Sequence, residues 1–287
     1  MLPQGREVGG LGSVVSFVSA PGGVGKTTLS LVSSWLMRRD GLRVLLVDMD
    51  PTMGLSLWIM DEDRIVSLDW KGRTLASLLE AFLRGEKVDV RDAVAEVKFK
   101  DVELDLVIPG DRLADVVESI RYGTSAMLDW HEALDWCLLR SGARDAYDVV
   151  VIDTIPFYDP KYTVVAIQAS DRCVVPVRPT RLCVHRTLRM LRRLPRIMKR
   201  EEELYEMMGV IFNMVDERSH LKRLSEYRGM LSHVSERLKV FDSYVKKAVA
   251  LSRIGTEEEA AGSRSDVKSV EEVVRKFYGE FKGWLGF

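Results

Sequence analysis

Between Ser19 and Thr28 the chain reads Ser-Ala-Pro-Gly-Gly-Val-Gly-Lys-Thr-Thr. Gly22, Gly23 and Gly25 lack a Cβ, so the backbone around Val24 can curl and aim several N–H groups at one phosphate, which then rests on the N-terminus of the following helix. Lys26 supplies a point charge for the outer phosphates. Thr27 adds a hydroxyl of the kind that ligates Mg²⁺, and Thr28 a hydroxyl for an inner phosphate. Together these residues predict a nucleoside triphosphate site. A glycine-rich turn would account for the loop alone, but not for strand, Gly-x-Gly-Lys-Thr and helix in that order. The strict pattern has glycine at the first loop position, where this chain has Ala20 followed by Pro21.

Two further segments end in carboxylates, Arg43 to Pro51 with Asp48 and Asp50, and Tyr147 to Pro156 with Asp153. The second has the form of a Walker B strand. A carboxylate at the C-terminal end of a strand faces the crevice where open α/β sheets bind ligands. Thr27 and Asp153 are therefore candidate Mg²⁺ residues, with Asp153 acting through water. Alternation places Asp48 and Asp50 on one face and Met49 on the other. Burying such a pair is costly unless a cation or a water network meets it.

These groups need a scaffold. An apolar run at Val14 to Val18 precedes the loop, and an amphipathic helix, Leu29 to Arg39, follows it. Similar runs recur at Leu104 to Ile108, Val149 to Asp153, Cys173 to Val177, Val210 to Met214 and Val240 to Tyr244, separated by helical-period segments. The alternation predicts an α/β fold, a doubly wound and mostly parallel sheet flanked by helices in the manner of a P-loop NTPase. One domain is expected over 13–287 after a flexible tail at 1–12. Segment 58–102, with a charged turn at Asp61 to Arg64 and a helix near Leu75 to Arg84, reads as a helical elaboration outside the sheet. Trp130 and Trp136 read as a core face with Leu134 and Leu138, and Gly255 to Ser265 as a mobile segment.

Composition narrows the function. The 287 residues carry a net charge of -1, so nucleic-acid binding would need a local patch. Cys137, Cys173 and Cys183 are too scattered for a zinc knuckle, an iron–sulfur scaffold or a disulfide framework, which fits a reducing cytoplasm. His131, His185, His220 and His233 show no metal-ligand spacing. Met1 to Gly12 has no run of signal-peptide length, and no segment offers about 18 uncharged apolar residues. Asn213 is the single asparagine and Gln4 and Gln168 are the only glutamines, a hyperthermophile-like bias.

Gly-Gly-Val-Gly-Lys-Thr-Thr, Val-Asp-Met-Asp-Pro and Val-Ile-Asp-Thr-Ile-Pro, in this order, resemble the ParA/Soj/MinD family of deviant Walker ATPases. The likeness continues through Leu106 to Asp111, Pro176 to Pro179, Gly209 to Asp216 and Val240 to Tyr244, and is nearest to the ParA/Soj branch. It implies a switch that binds ATP and Mg²⁺, pairs as a homodimer around the nucleotide, binds DNA nonspecifically on the nucleoid, and comes apart after hydrolysis prompted by a ParB-like DNA-binding partner. By matched position, Asp48 and Asp153 would stand in the outer shell of the Mg²⁺ ion, Asp50 would orient the attacking water and Asn213 would contact adenine, a structural cap being the other role open to Asn213.

The family's signature lysine, which crosses to the partner's phosphates, is replaced by Pro21. Proline has neither a cation nor an N–H. Lys161, shortly after the Walker B strand, is a candidate substitute, unless it is an ordinary solvated lysine. A nucleotide-gated binder with little turnover is the alternative function.

From Arg178 to Arg200 there is no acidic residue. Arg181, Arg186, Arg189, Arg192, Arg193 and Arg196 would form a ridge for DNA phosphates, with Leu182, Leu188 and Leu191 buried beneath. A solvated face offset by Glu201 to Glu203 is the alternative. Helix 266–285 carries Val270, Val273, Val274, Phe277, Phe281 and Trp284 on one stripe. It is expected to dock on the core; a MinD-like membrane anchor is the competing possibility, and Glu271, Glu272 and Glu280 weigh against it.

Overall fold

Every apolar run read as a strand forms one. In the computed structural model, residues 11–122, 130–198, 202–255 and 264–287 are described. The chain runs β1 (Ser13–Phe17), α1 (Lys26–Arg39), β2 (Val44–Met49), α2 (Gly54–Ile59), α3 (Glu62–Trp70), α4 (Leu75–Leu83), β3 (Val94–Phe99), β4 (Val102–Val107), α5 (Leu113–Tyr122), α6 (Ala133–Arg140), α7 (Ala143–Ala146) and β5 (Val149–Thr154). It continues through α8 (Pro160–Gln168), β6 (Arg172–Val177), α9 (Arg181–Met198), α10 (Glu202–Glu206), β7 (Met208–Val215), α11 (Glu217–Ser232), β8 (Lys239–Lys246), α12 (Val249–Ser252) and α13 (Arg264–Leu285).

The strands form one sheet in the order β3-β4-β2-β5-β1-β6-β7-β8. All neighbouring pairs are parallel except β3–β4. The antiparallel edge corrects the expectation that 58–102 lies wholly outside the sheet. In β3, Ala95, Val97 and Phe99 are buried while Glu96 and Lys98 face solvent. A half-solvated edge strand alternates and yields no continuous apolar run of the kind that marks the buried strands.

Helices cover both faces. On one, α1 and α13 pack with Val15, Phe17, Trp35 and Phe241; on the other, α4, α5, α6 and α8 cover the β2–β5 side and α9 and α11 the β6–β7 side. In α13 Val270, Val274, Phe277 and Phe281 are buried, and the Phe281 ring lies 6.1 Å from that of Phe17. Glu280 ties this helix to β8. Its carboxylate accepts from Asp242 N and Ser243 N, both at 3.0 Å, and pairs with Lys239 Nζ at 2.9 Å. Partial burial would raise its pKa, but these donors hold it down to about 2. No helix among the described residues is long and apolar enough to cross a membrane.

Two packing expectations need correction. Leu134 and Leu138 are buried, but Trp136 lies on the outer side of α6 with the Arg140 guanidinium 5.8 Å from its ring. Leu182, at the first turn of α9, is 60% exposed, whereas Leu188 and Leu191 are buried as expected and are joined on that face by Val184 and Leu194. Of the expected flexible tail, 1–10 lies outside the described residues; Gly12 is pinned, its N–H donating to Arg144 O at 2.6 Å. Most of the expected mobile segment, 256–263, also lies outside them.

Candidate functional site

Adjacent strands β2, β5 and β1 bring three C-terminal ends together, carrying Asp48, Asp153 and the glycine loop. The loop passes directly into α1, which begins at Lys26, three residues earlier than the apolar pattern suggested. Gly25 caps that helix in the left-handed region with φ 87°, and a Cβ there would fall 2.3 Å from Asn213 Nδ2. Glycine is thus required twice over at this position.

Asn213, buried at 3% exposure near the end of β7, has both polar ends engaged. Its Nδ2 donates to Val24 O at 2.8 Å, and its Oδ1 accepts from Met214 N at 2.8 Å. The residue therefore anchors the loop from behind.

Lys26 is buried, and its Nζ donates to Ser19 Oγ at 3.1 Å, while Ser19 Oγ donates to Pro21 O at 2.8 Å. Burial lowers the lysine pKa, and the neighbouring Asp153 and Asp50 carboxylates work against that. Thr27 Oγ1 donates to Asp153 Oδ2 at 2.7 Å. Thr28 sits half-buried in the first turn of α1. The Ser30 hydroxyl is directed to Thr27 O at 3.0 Å. Asp153 Oδ1 is buried with no hydrogen-bond partner among the described residues.

Asp48 pairs in register with Asp153 across β2 and β5. Its Oδ1 accepts from Asp50 N at 3.0 Å, and its Oδ2 accepts from Ser56 N at 2.9 Å and Ser56 Oγ at 2.7 Å. Burial and the Asp153 charge push Asp48 up to about 7. Burial pushes Asp153 up to about 6, against the pull of Lys26 and Thr27. Asp50 is half-buried beyond the strand end, with Oδ1 accepting from Thr52 N at 2.8 Å and Thr52 Oγ1 at 2.7 Å.

A buried, unpartnered carboxylate oxygen beside a second buried carboxylate and a threonine hydroxyl fits a hard divalent cation. Among the described residues no group of three His, Cys, Asp or Glu could hold a metal alone. Mg²⁺ commonly takes most of its shell from waters and substrate phosphates and few ligands from protein.

Ser19, Ser56 and Thr52 were not anticipated as supports of the site. Lys161 lies at the start of α8, where its Nζ pairs with Glu118 at 2.6 Å and Asp159 at 3.5 Å. The six α9 arginines are all exposed.

The family AAA_31, described as an AAA domain, matches residues 12–207. The chain is 26% identical over 276 residues to the chromosome partitioning protein ParA of Caulobacter vibrioides, covering 92% of this chain and 94% of that one. It is 27% identical over 216 residues to the sporulation initiation inhibitor protein Soj of Bacillus subtilis, covering 74% and 76%. Its fold is similar to that of McdA from Cyanothece in complex with ATP, with a TM-score of 0.64 at 18% identity over 94% of this chain and 97% of the other.

Proposed function

The chain belongs to the ParA/Soj family, and on that premise we propose that it is an ATP-driven switch that dimerises around Mg-ATP, binds DNA nonspecifically and segregates DNA. The observation that carries this reading is the orphaned Oδ1 of Asp153, buried beside Asp48 and Thr27 at the foot of the glycine loop.

In this reading the loop N–H groups and the α1 N-terminus hold the phosphates, and Lys26 leaves Ser19 to meet their outer charge. Thr27, with Asp48 and Asp153 behind it, would hold Mg²⁺, which when bound neutralises charge on the outer phosphates. Asp50 orients a water whose oxygen bonds the γ-phosphorus as the β–γ bridge breaks, releasing ADP and phosphate. A ParB-like DNA-binding partner accelerates turnover, and the exposed arginines of α9 supply the DNA contact. ATP bound to a chain of the same fold supports the choice of nucleotide.

Pro21 favours a second reading, a nucleotide-gated binder with little hydrolysis. Calorimetry with ATP in millimolar Mg²⁺, followed by steady-state phosphate release against Lys26→Ala, separates the two. Uptake with release above the variant is expected. Uptake with release no higher leaves the gated binder, and absence of uptake overturns both readings.

A further inference from the structure

Pro21 and Gly22, with the Phe157 turn that follows β5, form one wall of an open cleft of about 430 Å³. The opposite wall is α9, which contributes Arg186, Arg189 and Arg193. These three recur at i, i+3 and i+7, a single stripe of the helix. Arg181, Arg192 and Arg196 do not line the cleft. The structure thus divides a charge run that looks uniform in sequence.

All three cleft arginines are exposed, and among the described residues none has a carboxylate partner. Arg193 lies over the Phe157 ring, its guanidinium carbon 5.9 Å from the centroid, which holds its side chain toward the loop. Converging guanidinium groups without counter-charges favour an anion. The fork of donors on each suits the oxygens of a phosphoryl group. The facing wall is the start of the phosphate loop itself, where Pro21 offers neither a cation nor an N–H. A loop short of positive charge and a helix with positive charge to spare therefore border the same cleft.

We propose that Arg189 and Arg193, with Arg186 beside them, clamp the outer phosphate of the nucleotide seated on the loop. The phosphate-clamping cation of this chain then comes from α9. This inference rests on the nucleotide-binding reading and assigns three arginines of the expected DNA ridge to the nucleotide instead.

The test compares Mg-ATP with Mg-ADP by calorimetry and measures DNA affinity on the same samples. In Arg189→Ala/Arg193→Ala, affinity for ATP falls about tenfold, as loss of a charge-assisted contact to the outer phosphate requires, while affinity for ADP stays at the wild-type value. Phosphate release falls by a factor on the order of 10² to 10³. Lys222→Ala/Arg223→Ala, which removes two exposed cations of α11 away from the cleft, keeps the wild-type ATP-to-ADP ratio. Both variants alter exposed side chains and are expected to melt with the wild type. A wild-type ratio in the arginine variant, with DNA affinity lost, would assign the stripe to DNA and overturn the proposal alone. Failure of the wild-type protein to take up ATP would overturn the nucleotide reading together with it.

Discussion

Asp48 and Asp153 sit opposite one another in adjacent parallel strands, paired in register and both buried. Strands in a sheet lie about 4.8 Å apart, so two carboxyl groups share one dry space. The Thr27 hydroxyl donates to Asp153 and the Ser56 hydroxyl to Asp48, and with Lys26 and Ser30 nearby they only partly offset the burial of the pair. Without a cation, full ionisation of both is unfavourable.

The consequence is a pH-dependent stability of the nucleotide-free protein. Both pKa values are raised, Asp48 to about 7 and Asp153 to about 6, so the folded state binds protons more tightly than the unfolded chain. Their stabilising contribution is complete below about pH 4 and is lost as pH rises through 6 to 7, amounting to a few kcal/mol at most. Thermal melts of the metal-free protein should show a midpoint several degrees lower at pH 8 than at pH 5 from this source. Asp48→Asn removes part of a hydrogen-bond set at every pH, so the slopes, not the midpoints, are compared. The variant should melt with a flatter pH dependence, and an unchanged slope would show that the pair does not titrate in this range. Mg-ATP should recover the midpoint at pH 8.

The loop anchor gives a second prediction. Asn213→Ala leaves the Val24 carbonyl without its donor and should cost about 1–3 kcal/mol of stability. Because both polar ends of Asn213 already serve backbone groups, affinity for ATP and GTP should fall by the same factor. A selective loss of ATP would show instead that the side chain reads the base. Gly25→Ala, with its Cβ 2.3 Å from Asn213 Nδ2 at φ +87°, should abolish binding of both nucleotides.

These two cases show which features could be read from the sequence. The phosphate loop and Asp153 depend on spacings within ten residues, so residue types in order were enough to locate them. The contact of Asn213 with Val24 spans 189 positions and leaves no periodic trace, although Asn213 is the only asparagine in the chain. Ser56 meets Asp48 only because α2 folds back over the end of β2. The β3 edge was obscured by Glu96 and Lys98 on its solvated face. The arginine run was plain as charge, but which arginines face Pro21 depends on how α9 is rotated against the loop.

The C-terminal helix should prove structural. Phe281 is fully buried and lies 5.4 Å from the Phe277 ring as well as 6.1 Å from Phe17. Phe281→Ala should destabilise the fold by about 3–5 kcal/mol in denaturant titration. Co-sedimentation with anionic vesicles should be at background with or without ATP. Pelleting that depends on ATP would mean that α13 leaves the sheet to insert its apolar stripe.

DNA binding should be ATP-dependent, indifferent to sequence and steep in salt. Arg181, Arg192 and Arg196 remain exposed on α9 outside the cleft lining, where they can follow a phosphate backbone without base contacts. Each phosphate neutralised contributes about 0.9 to the log–log salt slope, so a dimer using these three residues from each copy has a slope near -5. Between 50 mM and 200 mM salt, affinity should then fall by roughly 10³-fold. Arg192→Ala/Arg196→Ala removes up to four such contacts from the dimer and should reduce the steepness by about 3 to 4. Equal affinity at both salt concentrations would leave the ridge as a solvated face. A slope unchanged in the variant would place the DNA contact on another element.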